Sequence, residues 1–224
     1  MDALIFDFDG VVVDSEPIHL VCFQHVLKKA GIDLSREDYY AKYLGYDDRD
    51  CFLAVARAGG RTLDRSAVEA MIAAKTALVQ QAMSRNIQPL GGAVELIRQV
   101  SAAGTPVAVC SGALRKEIEL ASAAVGVLDC FTVIVSAEDV TAGKPDPQGY
   151  RVAAQRLSSA AGRTIRPGRC VAVEDSPAGI QSAQAAGMKV LAVANSYPPD
   201  RLRDAQRVVS SLTEVTPADL EKLL

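Results

Sequence analysis

Cysteine is sparse and scattered in this chain. Its five copies, Cys22, Cys51, Cys110, Cys130 and Cys170, are odd in number and form no C-x-x-C pair, which argues against a zinc site and a disulfide framework. They read instead as small apolar core residues in a reducing compartment. A basic excess is also missing: 24 Lys and Arg stand against 27 Asp and Glu, giving a net charge of −3 and a pI near 5.5. A nucleic-acid partner needs a basic patch, and none stands out. Phosphorylated small molecules need only a local positive pocket and stay open. No apolar run reaches the roughly 18 residues of a membrane span. Met1-Asp2-Ala3 enters a strand-like run at once, with no charged leader and no cleavable apolar segment. The expectation is a soluble, cytoplasmic protein, monomeric by default, with neither membrane nor nucleic acid as partner.

The 224 residues are 49% hydrophobic, enough for one large domain or two modest ones and far from the composition of a disordered chain. Residues 3–6 form a short apolar run of the buried-strand kind, ending in Asp7-Phe8-Asp9-Gly10. From about 17 to 85 the spacing is helical, with segments at 17–30, 37–43, 48–58 and 66–85 and no good strand. After Pro89-Leu90-Gly91-Gly92, helices at 93–103, 116–125, 147–157 and 178–186 alternate with strands at 106–110, 133–136, 170–173 and 189–193. A short strand at 207–209 and a helix at 217–224 close the chain. Such alternation implies a parallel sheet covered by helices on both faces. The expected division is an α/β domain of residues 1–14 and 88–224, interrupted by a helical domain of 15–87.

In open parallel sheets ligands bind beyond the carboxyl ends of the strands. The residues at those ends are Asp7 and Asp9, Ser111-Gly112, Gly143-Lys144-Pro145 and Glu174-Asp175-Ser176. Two pairs of acids, a hydroxyl and a lysine suit phosphoryl transfer. A carboxylate attacking a doubly negative phosphate is repelled unless a cation neutralises the site. Magnesium prefers oxygen ligands and retained waters. Asp7, the Asp9 carbonyl and Asp175 can supply oxygens, with Glu174 either outside them or as a fourth ligand. Lys144 suits both the phosphate and the nucleophile. Ser111 and the Gly112 N–H, near a helix start, can hold non-bridging oxygens. Asp7 is the candidate nucleophile. Asp9, two residues on, can protonate the leaving oxygen and then deprotonate the acceptor.

Four segments together resemble the haloacid dehalogenase superfamily of phosphohydrolases: residues 7–14, 109–112, 143–145 and 173–179, in that order and each at an expected strand end. The resemblance covers the whole chain. It implies an α/β fold, a Rossmann-like parallel sheet core with an inserted α-helical bundle cap. It also implies Mg2+ as cofactor, a phospho-aspartate on Asp7 and a small phosphorylated metabolite as substrate. The subgroup it points to includes phosphoglycolate phosphatases, β-phosphoglucomutases and sugar-phosphate phosphatases.

Each of these residues also has an ordinary reading. Asp7 and Asp9 can be turn residues, Ser111 a helix cap and Lys144 a solvated lysine; their co-occurrence at neighbouring strand ends favours the site. In the helical segment, His19 lies where the resemblance puts a hinge histidine of the mutases, while His25 reads as a helix-surface residue. Gly45 fits the glycine of the family's specificity loop. Arg49 either reaches substrate or is a solvated helix-start residue, and Lys75 either contacts the closed site or is an exposed lysine. The mutases carry a lysine just before the loop glycine and an arginine after it, where this chain has Leu44 and Asp48. That favours a phosphatase acting on a sugar or polyol phosphate over a β-phosphoglucomutase-like mutase. A phosphonoacetaldehyde hydrolase would need a Schiff-base lysine, for which Lys42 and Lys75 are weak candidates. A non-catalytic binding module would be expected to have lost one of the acids or the lysine, and none is lost.

Overall fold

The structure, a computed structural model, describes residues 1–44 and 46–224. Strand β1 (Ala3–Phe6) is apolar on both faces and fully buried, as only an interior strand of a covered sheet can be. After β2 (Val13–Asp14) come α1 (Glu16–Lys29), α2 (Arg36–Asp38), α3 (Asp48–Ala58) and α4 (Arg65–Asn86). The chain then runs through β3 (Gln88–Pro89), α5 (Ala93–Ala102), β4 (Val107–Cys110), α6 (Arg115–Ala124), β5 (Val133–Val135), α7 (Gln148–Ala161) and β6 (Cys170–Glu174). It ends with α8 (Pro177–Ala185), β7 (Lys189–Val193), β8 (Arg207–Val209) and α9 (Pro217–Glu221). Two compact units result, one of Met1–Asp14 with Ile87–Leu224 and one of Ser15–Asn86. No helix among the described residues is long and apolar enough to cross a membrane.

The α/β unit is built on a six-stranded sheet in the order β5-β4-β1-β6-β7-β8, with every neighbouring pair parallel. The connection order reverses between β1 and β6, which makes their carboxyl ends the switch point where such sheets bind ligands. Register fixes what meets there. Phe6 pairs with Val173 and the Asp7 N–H donates to the Val173 carbonyl at 2.9 Å, so Asp7 and Glu174 emerge side by side. Beneath them Ile5, Ala108 and Ala172 pack with Tyr150, Leu157 and Ile180 of α7 and α8.

Three local features differ from the sequence expectation. β2 and β3 form an antiparallel pair, Val13 with Pro89 and Asp14 with Gln88; two residues each are too few to carry a pattern. The helix expected at 37–43 is a single α-helical turn running into a π-helical turn at Tyr39–Tyr43. Helix α7 extends to Ala161 and stops at Gly162, whose φ of 61° is left-handed, rather than at 157. The cysteines are free, and all but the half-buried Cys130 are buried.

The helical unit packs Leu20, Phe23, Leu27, Tyr39, Phe52 and Val55 into its own core, with Phe23 edge-on to Phe52 at 5.0 Å between centroids. Into this core reaches a lysine. Lys75 is 4% exposed, pairs with Asp48, lies 3.0 Å from His19 Nδ1 and stands 4.3 Å above the Phe23 ring. A buried ammonium is tolerated only when its donors are engaged, and here carboxylate, imidazole and ring face engage them. Its neighbour His19 is driven down to about 3, first by burial and then by the Lys75 charge, so the folded protein holds it neutral. Unfolded, it takes up a proton below about pH 6.5. Between those limits the unfolded chain binds more protons, so stability falls as pH is lowered. Thermal melts should therefore show a larger drop in Tm from pH 7.5 to pH 5 in the wild type than in His19→Gln. Parallel curves would contradict this burial of a neutral imidazole.

Candidate active site

Every predicted residue of the α/β unit lies at a carboxyl strand end. Asp7 and Asp9 follow β1, Ser111 and Gly112 follow β4, and Glu174 ends β6 with Asp175 next to it. Lys144 is on the loop between β5 and α7, and that loop is tied down by Ser182 of α8, whose hydroxyl donates to the Asp146 carbonyl at 2.7 Å. Oxygens of Asp7, Glu174 and Asp175 all lie within 4.8 Å of one another. Lys144 Nζ sits between two of them, 2.8 Å from Asp7 Oδ1 and 2.6 Å from Glu174 Oε1. Ser111 Oγ donates to Asp9 Oδ2 at 3.4 Å and accepts from the Ala113 N–H at 3.0 Å. The space beside Gly112 is open, and α6 starts three residues beyond it at Arg115.

Glu174 has no exposed surface. Its Oε1 accepts from the Tyr150 hydroxyl at 2.6 Å as well as facing Lys144. Its Oε2 accepts from the Asp175 N–H at 3.3 Å and the Ser176 hydroxyl at 3.2 Å. A carboxylate offers about four acceptor sites, and protein donors engage that many. The carboxylate also lies against Gly179 so closely that a Cβ there would overlap it. Asp175, by contrast, receives a short hydrogen bond from Ser196. Gly10, at φ 77°, takes the left-handed turn that follows Asp9, and a side chain on it would run into the Asp175 carboxylate.

The electrostatics follow from three acids meeting one ammonium. Burial pushes Asp7 well above the ordinary carboxylate range, against the pull of Lys144 and with Glu174 and Asp175 adding to it. Burial likewise pushes Asp175 up to about 6, opposed by the Ser196 hydrogen bond. Lys144 is opposed by burial, yet Asp7 and Glu174 outweigh it and hold the ammonium above the ordinary lysine range. Three carboxylates thus converge on one ammonium, and a cation entering among them would offset the burial that opposes ionisation of Asp7 and Asp175. The donor set is all oxygen and the deficit is about two charges, which fits a hard divalent cation such as Mg2+.

The helical-unit candidates are placed differently. Lys75 is buried against His19 and Asp48, both half-buried, so it is not the exposed lysine of the alternative reading. Arg49 is half-exposed and 4.0 Å from Glu69. His25 is exposed. Gly45 lies outside the described residues. Sequence reading missed Tyr150, although a tyrosine on a helix face that is otherwise apolar needs a polar partner. It also passed over Asn195 and Ser196, which the strand-end rule would have found beyond β7.

Residues 4–193 match the haloacid dehalogenase-like hydrolase family, and the chain belongs to it. It is therefore an enzyme of the hydrolase class. Hexitol phosphatase A of Escherichia coli is 33% identical over 216 residues, covering 95% of this chain and 92% of its own. Validoxylamine A 7'-phosphate phosphatase of Streptomyces hygroscopicus subsp. limoneus is 27% identical over 212 residues, 94% of each chain. The crystal structure of CbbY from Rhodobacter sphaeroides in complex with phosphate superposes with a TM-score of 0.85 at 25% identity, over 99% of both chains.

Removing the Tyr150 hydroxyl leaves a buried charged acceptor short of a donor. Tyr150→Phe should cost about 1.5–3 kcal/mol of stability, read by urea unfolding; a loss within error of zero would show that Glu174 does not depend on it.

Proposed function

We propose that the protein is a cytoplasmic, Mg2+-dependent phosphatase that hydrolyses a small phosphorylated metabolite, a sugar or polyol monophosphate, through a phospho-aspartate on Asp7. The observation that carries the reading is the Asp7–Lys144–Glu174 arrangement beside Asp175, in which a buried carboxylate is held ready by an ammonium in a site short of positive charge. Asp7 and Asp175 would hold the metal through side-chain oxygens and Asp9 through its backbone carbonyl, while Glu174, its acceptors taken by protein donors, would hold Lys144. Bound Mg2+ neutralises the phosphate's charge.

An Asp7 oxygen forms a bond to phosphorus as the ester P–O bond breaks, and Asp9 gives its proton to the departing alkoxide. Asp9, now ionised, takes a proton from water as the water oxygen attacks phosphorus. Inorganic phosphate leaves and Asp7 is regenerated. Lys144 balances charge on Asp7 and on the transferred group, while Ser111 and the Gly112 N–H hold non-bridging oxygens.

Hydrolysis is favoured over phosphosugar mutation because this chain has Leu44 and Asp48 where the mutases carry a lysine and an arginine. Lys75 is paired with Asp48. Lys75 also has its donors engaged by Asp48, His19 and Phe23, which does not suit the free amine a Schiff base requires. The two phosphatase relatives, whose names specify a hexitol and a validoxylamine phosphate, support a hydroxyl-rich monophosphate.

With Mg2+ the protein should turn over an aryl phosphate, and Asp7→Asn should lower the rate by roughly 10³-fold or more. EDTA should abolish turnover and Mg2+ restore it. Equal rates in wild type and Asp7→Asn would overturn the reading. On a metabolite panel, hexitol and sugar monophosphates should release inorganic phosphate. Isomerisation of β-glucose 1-phosphate that depends on a bisphosphate activator, without net phosphate release, would favour the mutase instead.

A further inference from the structure

The loop beyond β7 contributes two contacts that the reaction outlined above does not use. Ser196 Oγ donates to Asp175 Oδ2. The side chain before it, Asn195, donates through Nδ2 to the Gly10 carbonyl at 2.8 Å. These two acceptors belong to different strand ends, after β6 and after β1. Asp175 is 4% exposed, yet Ser196 and Asn195 are themselves exposed. They clamp the site from its rim and are not part of its core.

We propose that Asn195-Ser196 is a positioning device for the cation site, with Ser196 fixing the Asp175 carboxylate and Asn195 fixing the Asp9–Gly10 turn. This rests on the Mg2+ reading given above. A carboxylate is close to two-fold free about its last torsion, and tying Oδ2 leaves the other oxygen as the one free to face Asp7. The turn after Asp9 has the opposite problem. Gly10 is left-handed and lacks a side chain because Asp175 occupies the space where one would stand, so no side chain of its own anchors it. Its N–H donates to the Val13 carbonyl at 2.9 Å and its carbonyl is held by Asn195. One dipeptide thus sets the separation of two of the three groups expected to meet the metal. Residues that orient ligands in this way change metal affinity by about 10–100-fold when removed.

Titration calorimetry of the full-length protein with Mg2+ alone tests this. The wild type should bind one Mg2+, and Asp175→Asn should lose it; a wild type that binds none would overturn both the cation site and the clamp. Ser196→Ala should weaken Mg2+ binding about tenfold or more. Ser196→Thr, which keeps the hydroxyl, should bind nearly as the wild type does. Asn195→Ala should weaken binding as well. If Ser196→Ala binds Mg2+ as tightly as the wild type, or if Ser196→Thr is as weak as Ser196→Ala, the clamp is refuted while the cation site stands.

Discussion

One ammonium stands against three carboxylates at the carboxyl ends of β1 and β6. Lys144 is 2.8 Å from Asp7 and 2.6 Å from Glu174, with Asp175 within 4.8 Å of both acids. Desolvation makes such a gathering of acids costly, and much of the surrounding architecture serves to keep it in place. Tyr150 and Ser176 donate to Glu174; Gly179 gives that carboxylate room; Ser182 anchors the loop that carries Lys144. The excess negative charge held in this way is what the proposed divalent cation would offset.

The fold makes this gathering possible because of its strand order. β1 lies between β4 and β6, so the chain returns to the same spot from both directions and delivers acids from two strands, with Ser111 from a third. Parallel register then aligns Asp7 with Glu174 to within a residue. The helical unit solves a different problem. Its buried Lys75 is satisfied by Asp48, His19 and the face of Phe23, so that its interior charge is internally compensated.

The parallel α/β architecture was legible in the sequence because buried strands such as residues 3–6 and 170–173 are continuous apolar runs, and because acids and glycines interrupt them at their carboxyl ends. The clustering of Asp7, Lys144, Glu174 and Asp175 followed from that placement. What escaped depends on partners distant in the chain. Tyr150 looks like one more core aromatic until Glu174 is set beside it, 24 residues later. Lys75 looks like a surface lysine until Asp48 and His19 are brought to it. The Val13–Asp14 and Gln88–Pro89 pair is too short to have a pattern, and the π-helical turn at Tyr39–Tyr43 has the same apolar spacing as an α-helix to within one residue. Asn195 and Ser196 carry no unusual chemistry; only the neighbours they meet give them meaning.

The central claim is that Asp7 carries the phosphoryl group during turnover, and acid-quenched peptide mapping tests it most directly. Asp9→Asn, mixed with an aryl phosphate and Mg2+ and quenched in the first turnover, should yield one phosphorylated peptide, that containing Asp7, because the proton acceptor needed to hydrolyse the intermediate is gone. Turnover with no phosphorylated peptide, or with the phosphoryl group on Ser111 or elsewhere, would contradict the account.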